Sequence, residues 1–216
     1  MIAIIIIVIG LVGIKIWKQN HIYDGISENR DSFDALIQSH RDSNVVGWLT
    51  VEDTAINTVV AQGDDNQKYL ETDIDGNPSI AGTPFLDYRN DKLFRDPYSV
   101  IYGHHMGDHL MFSDLVLFTE ESFWEIERKG SLELTDGRVF DITFFACLEA
   151  TSTDSSYYDP ILIRNNWNTE SRKKLTEDAF IVKNTISEND QIIVLSTCAD
   201  ADSEKRIVVM GKLTQK

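Results

Sequence analysis

A mainly β fold, an antiparallel barrel or sandwich, is predicted by three features of the 216-residue sequence. Short runs rich in β-branched and aromatic residues recur along it, Gly, Asp and Asn turns separate them, and neither an internal repeat nor a low-complexity linker divides them. About eight runs qualify: VVGWLTV (45–51), INTVVA (56–61), TPFLDY (83–88), YSVIYG (98–103), SLELT (131–135), VFDITFFACLEA (139–150), QIIVLSTC (191–198) and RIVVMGKL (206–213). Helical inserts are predicted at 110–118, 120–128 and 169–184, the third being the longest.

Two segments precede this region. Residues 1–14, MIAIIIIVIGLVGI, carry no charged side chain, and the apolar run continues past Lys15 through Ile16 and Trp17. A bilayer span needs about 20 residues, and a helix with Lys15 snorkelling and Trp17 at the interface reaches that length. A core helix is the competing reading, but the isoleucine-rich stretch Ile2–Ile9 leaves no polar stripe for a solvent face. Residues 1–18 are therefore expected to form a membrane anchor, uncleaved because no Ala-x-Ala-like site follows. Lys15 and Lys18 follow the span, against the positive-inside preference for an exported C-terminal domain. Over 19–43, Ile22, Ile26, Phe33, Leu36 and Ile37 recur at helical spacing, predicting an amphipathic helix that packs one stripe on the body, residues 44–216.

The whole chain has 20 basic and 35 acidic side chains, net −15; residues 21–216 carry 18 basic against 35 acidic, net −17. So acidic a body lacks the basic face that displaces counterions from phosphates, which argues against a nucleic-acid partner. Two cysteines exclude a disulfide framework and a four-cysteine zinc site.

The chemistry-bearing residues fall in two places. QIIVLSTC ends on Cys198, and alternation places Ser196 with Cys198 on one face and Thr197 on the other. After seven intervening residues Arg206 opens the final run, so a hairpin sets Cys198 and Arg206 opposite each other, where a guanidinium can hydrogen-bond an oxyanion as the thiol attacks. The spacing alone is equally compatible with a small buried thiol and a solvated edge arginine. The second place, YSVIYGHHMGDHLMF, holds His104, His105 and His109, three of the five histidines. Their spacing matches neither a His-Glu-x-x-His helix nor a finger, so no metal is expected, and a histidine paired with a distant cysteine is favoured. Parity puts Tyr102 and His104 on one face and His105 on the other, which selects His104.

Tyr-Gly-His-His-Met (102–106), then Met111-Phe112 and Leu115, Leu-Ser-Thr-Cys (195–198) and Arg206 together resemble the catalytic signature of class B sortases. The likeness runs upstream through VVGWLTV, INTVVAQGDDNQKYL and DIDGNPSIAGTPFLDYRN, covering roughly 44–213. It implies an eight-stranded sortase barrel with an N-terminal amphipathic helix, helical inserts and a membrane anchor. It further implies a cysteine transpeptidase at the surface of a Gram-positive cell, needing no cofactor. Its partners are secreted proteins with a C-terminal sorting signal, cleaved after threonine, and an amine of peptidoglycan. Cys198 is the implied nucleophile, Arg206 the oxyanion or backbone partner, and His104 the acid and base. Asn57, Tyr102 and Ser196 fall where the family places substrate-contacting residues, and Tyr157 and Tyr158 are candidates to line the groove. Class B members commonly have Asn after the histidine where this chain has His105.

Lesser features read as structural. Asp73-Ile-Asp-Gly-Asn lacks the glutamate that would complete a calcium loop and predicts a turn. Cys147, in an apolar strand, reads as a buried thiol, with a Cys147–Cys198 disulfide as the competing possibility. Arg172–Lys174 reads as a solvated helix face. Two other functions stay open on sequence: a surface β-barrel binding module with structural cysteines, and a cysteine peptidase that passes its acyl group to water.

Overall fold

The computed structural model describes residues 35, 44–106, 109–198 and 204–216. The chain divides into two units, Met1–Arg41 and Asp42–Lys216. The predicted anchor over 1–18 and amphipathic helix over 19–43 lie outside the described residues, Ala35 excepted. Among the described residues, no helix is long and apolar enough to cross a membrane.

The larger unit is built from strands β1 (Val45–Val51), β2 (Asn57–Ala61), β3 (Phe85–Leu86), β4 (Tyr98–Tyr102), β5 (Lys129–Leu134), β6 (Val139–Thr151), β7 (Ile181–Val182), β8 (Gln191–Cys198) and β9 (Lys205–Gln215). They form one sheet in the order β5-β1-β2-β3-β4-β8-β9-β6-β7, and pairing of β5 with β6 closes eight of them into a barrel, leaving β7 attached outside. The strand count and closure agree with the implied architecture, but the predicted antiparallel arrangement needs correction, because β2–β3 and β4–β8 are parallel. Parallel neighbours need long crossovers. The separations 61 to 85 and 102 to 191 supply them.

Alternation along the strands serves two apolar layers. Ile101, Ile193, Leu195, Ile207 and Val209 fill the barrel with Leu49, Phe112 and Leu115. Val100, Val194, Val208 and Met210 point outward, where Tyr157, Ile163 and Leu175 cover them. Burial on both faces explains why β8 reads as a continuous apolar run despite its place in a barrel.

The inserts differ from expectation in form. The first two are 3-10 segments, Ser113–Thr119 and Glu121–Trp124. The outer cover consists of helices α1 (Ser155–Tyr158), α2 (Pro160–Asn165) and α3 (Thr169–Lys174). The predicted long helix over 169–184 thus stops at Lys174, and its C-terminal part supplies β7, whose Ile181 pairs with Cys147. Each short helix has its own cap. The Asp154 and Asp159 carboxylates accept backbone N–H groups, Pro160 opens α2, and Asn168 with Ser171 forms a capping box. Lys173 and Lys174 are exposed, but Arg172 is buried against Trp167, so the basic run is not wholly a solvated face. The segment from Asp73 is a turn, with Asp73 Oδ1 accepting from the N–H groups of Asp75 and Asn77 around Gly76 at φ +82.

Candidate active site

Three strands end together on one side of the barrel. Tyr102, the last residue of β4, is paired with Ser196 in parallel register, and the Gly103 N–H continues the ladder to the Ser196 carbonyl at 3.1 Å. Cys198, the last residue of β8, stands directly opposite Arg206 on β9. Odd-numbered Ile101, Leu195 and Ile207 face the barrel interior, so Tyr102, Ser196, Cys198 and Arg206 all hold outer-face positions of the register. Continuing β4 by two residues brings His104 to the level of Cys198, one strand away, and neighbouring strands lie about 5 Å apart.

A cavity of about 460 Å³ opens at this end. β4 and its extension contribute Tyr102, Gly103 and His104; β8 contributes Ser196 and Thr197, and β9 contributes Arg206. Asn66 and Leu70 come from the connection after β2, Phe85 from β3, Arg89 from the loop after it, and Ser152 and Tyr158 from the covering segment.

His104 is fixed by a group that can only accept. Its Nε2–H donates to the Leu70 carbonyl at 2.7 Å, which assigns the proton to Nε2 and leaves Nδ1 for proton exchange. Its own carbonyl accepts from Phe112 N–H at 3.0 Å, tying the loop to the barrel interior. His105 does not line the cavity; it bridges to Met111, and its Nδ1 is buried without a partner. The His109 Nδ1–H donates to Asp114 Oδ1 at 2.6 Å, and Asp114 Oδ2 accepts from Ala55 N–H, so this pair braces the loop. Among the described residues, no cluster of His, Cys, Asp and Glu is arranged to hold a metal ion.

The far wall is polar. The Tyr158 and Ser196 hydroxyls are hydrogen-bonded at 2.9 Å, and Tyr102 Oη donates to Asp87 Oδ2 at 3.0 Å. Burial, reinforced by the Asp87 charge, pushes the Tyr102 phenol far up, so it stays a donor. Asp87 is fully buried; burial opposes its charge, but hydrogen bonds from the Arg89 side chain and backbone and from Asn66 outweigh it and hold the carboxyl below the ordinary range. Thr197 is among the lining residues although its backbone parity is inward, and its Oγ1 is buried and unpartnered.

Two sequence-derived candidates lie elsewhere. Asn57, on β2, accepts from Trp48 Nε1 at 2.7 Å and Thr50 Oγ1 at 3.1 Å and does not line the cavity. Tyr157 is buried beneath α1, its carbonyl accepting from Tyr98 Oη, and burial followed by Asp178 pushes its phenol up to about 12. Conversely, Asn66, Leu70 and Arg89 escaped the sequence reading. They sit in DNQKYL and DYRN, stretches already carrying the family likeness, but a backbone carbonyl acting on a histidine leaves no residue-type signal. Cys147 lies in the barrel interior as a free thiol, pushed far up by burial, so it is not bridged to Cys198.

A cysteine at the end of β8, opposite a guanidinium and level with an imidazole that both line the cavity, supplies the residue types that thiol-dependent acyl transfer needs. The Sortase domain model matches residues 49–214. Sortase B of Listeria monocytogenes is 35% identical over 88% of this chain and 76% of its own length, and Sortase B of Staphylococcus aureus is 30% identical over 85% and 75%. A Streptococcus pyogenes class B sortase involved in pilus biogenesis superposes with a TM-score of 0.76 at 31% identity, covering 85% of this chain and 98% of that one. The chain belongs to the sortase family, and its relatives place it in class B, whose members are cysteine transpeptidases that attach proteins to the cell wall.

Proposed function

We propose that Cys198 attacks the carbonyl that follows threonine in the C-terminal sorting signal of a secreted protein. The S–C bond forms as the C–N bond breaks, and His104 Nδ1–H gives its proton to the leaving amine. Arg206, opposite Cys198 in the register, hydrogen-bonds the oxyanion or aligns the signal backbone. A peptidoglycan amine then attacks the thioester, His104 takes its proton, and Cys198 leaves as thiolate. The thioester keeps the acyl group activated, so no nucleotide is consumed. Tyr102, Tyr158 and Ser196 form the wall on which the signal lies. The apolar stretch over residues 1–18 supports a single-pass anchor that keeps the barrel at the outer face of the membrane.

The observation that carries this reading is the pair of registers, Cys198 with Arg206 and Ser196 with Tyr102, which bring three distant stretches of sequence to one groove. A library of threonine-containing peptides, incubated with the full chain with and without an added amine, tests it. Amine-dependent ligation that disappears in C198A and H104A and survives in H105A is expected. Loss in H105A alone would overturn the His104 assignment, and cleavage that ignores the amine would favour hydrolysis.

A further inference from the structure

Arg89, on the cavity wall, and Asp87, buried behind it, form an ion pair for which the acyl-transfer chemistry has no direct use. Arg89 Nε donates to Asp87 Oδ1 at 2.9 Å and Nη2 to Asp87 Oδ2 at 2.8 Å. Nη2 also donates to the Tyr158 carbonyl at 2.6 Å. Asp87 Oδ2 in turn accepts from Tyr102 Oη and, at 2.8 Å, from Asn66 Nδ2. One buried carboxylate and one guanidinium therefore join three separate stretches of chain: the connection carrying Asn66, the end of β4, and the α1 segment carrying Tyr158.

We propose that Asp87 and Arg89 are positioning residues that set the shape of the signal groove by clamping the covering segment to the end of β4. The inference rests on the reading of the cavity as the sorting-signal site. Asp87 is completely buried, so it reaches a substrate only through Tyr102, Asn66 and Arg89. A bidentate guanidinium suits the task, since its planar fork fixes two angles at once, and burial leaves either member costly without the other. The rest of the wall depends on the same clamp. Tyr158 reaches Ser196 from a segment that Arg89 holds, and the Tyr102 and Tyr158 rings lie 6.0 Å apart on that wall.

The test uses the full chain and the best-cleaved peptide of the library, with D87N, R89Q and the double variant. Each single change is expected to raise KM about tenfold with kcat within about twofold, and the double variant to match the singles, because all three break one clamp. A KM rise in R89Q without one in D87N would overturn the proposal in favour of direct substrate contact by Arg89. So would a fall in kcat at unchanged KM. A second readout needs no peptide: amide hydrogen exchange over residues 152–165 is expected to quicken in both single variants while β8 and β9 stay protected. Unchanged exchange there contradicts the clamp even if the functional reading holds, and a failure of all peptides to react leaves this readout standing. Should R89Q not fold, R89K carries the same test, since an ammonium cannot hold both carboxylate oxygens and the Tyr158 carbonyl in one plane. An R89K enzyme with unaltered KM and exchange would refute the clamp.

Discussion

The Leu70 carbonyl decides which nitrogen of His104 can work, and it does so without any charged partner. A carbonyl holds Nε2–H in both protonation states of the ring, so the orientation is kept through the proton transfers proposed for Nδ1. Asp87 is the converse case, a buried charge kept ionised by donors. Its folded pKa lies below the ordinary 3.8, so its contribution to stability is fully present above that value and is lost as pH falls through the lower, folded one. Urea titrations at a series of pH values should therefore show wild-type stability falling more steeply than that of D87N as pH drops below about 4. Equal slopes would mean that Asp87 is not held by Arg89. At this scale the pairing of Cys198 with Arg206 was legible, as was the side of β4 on which His104 falls, because period-two parity and loop length are properties of the sequence. Asn57 turns to Trp48 and Thr50, whereas Asn66, nine residues on, lines the groove; likeness of a stretch does not fix which asparagine does so.

The reach from β4 into the His104 loop is set by packing of a single glycine. A Cβ on Gly103 would stand 2.6 Å from the Phe112 ring, itself fully buried in the barrel interior. G103A must move Phe112 or the backbone between Tyr102 and His104. We expect a destabilisation of about 1–3 kcal/mol, read by chemical denaturation, with kcat falling more than KM rises because His104 shifts and the groove wall does not. A variant with wild-type kcat would show that the loop tolerates the displacement. Strands were legible nearly to the residue, since β1, β4, β6 and β8 each follow an apolar or alternating run bounded by turns. The parallel pairings were not legible, because direction depends on how a crossover returns, which no local pattern encodes. Helices α1 and α2, four and six residues long, are too short to develop periodicity and announce themselves only through Asp154, Asp159 and Pro160.

For the molecule as a whole, closure of the barrel separates the two cysteines by position. Cys147 sits in the sealed interior with Phe144 and Val209, whereas Cys198 ends a strand at an outer-face position beside the groove. The net −17 of residues 21–216 argues against nucleic acid but does not identify the signal peptide; the groove itself presents Arg89 and Arg206. Acyl transfer through Cys198 requires one covalent bond that can be observed directly. The full chain, mixed with the best-cleaved peptide and quenched in acid before amine is added, can be digested and weighed by mass spectrometry. The predicted result is the N-terminal peptide fragment, ending in threonine, attached to Cys198, absent from Cys147, and discharged in a parallel sample given the amine before the quench. Cleavage with no adduct on Cys198, or cleavage that persists in C198A, would contradict it.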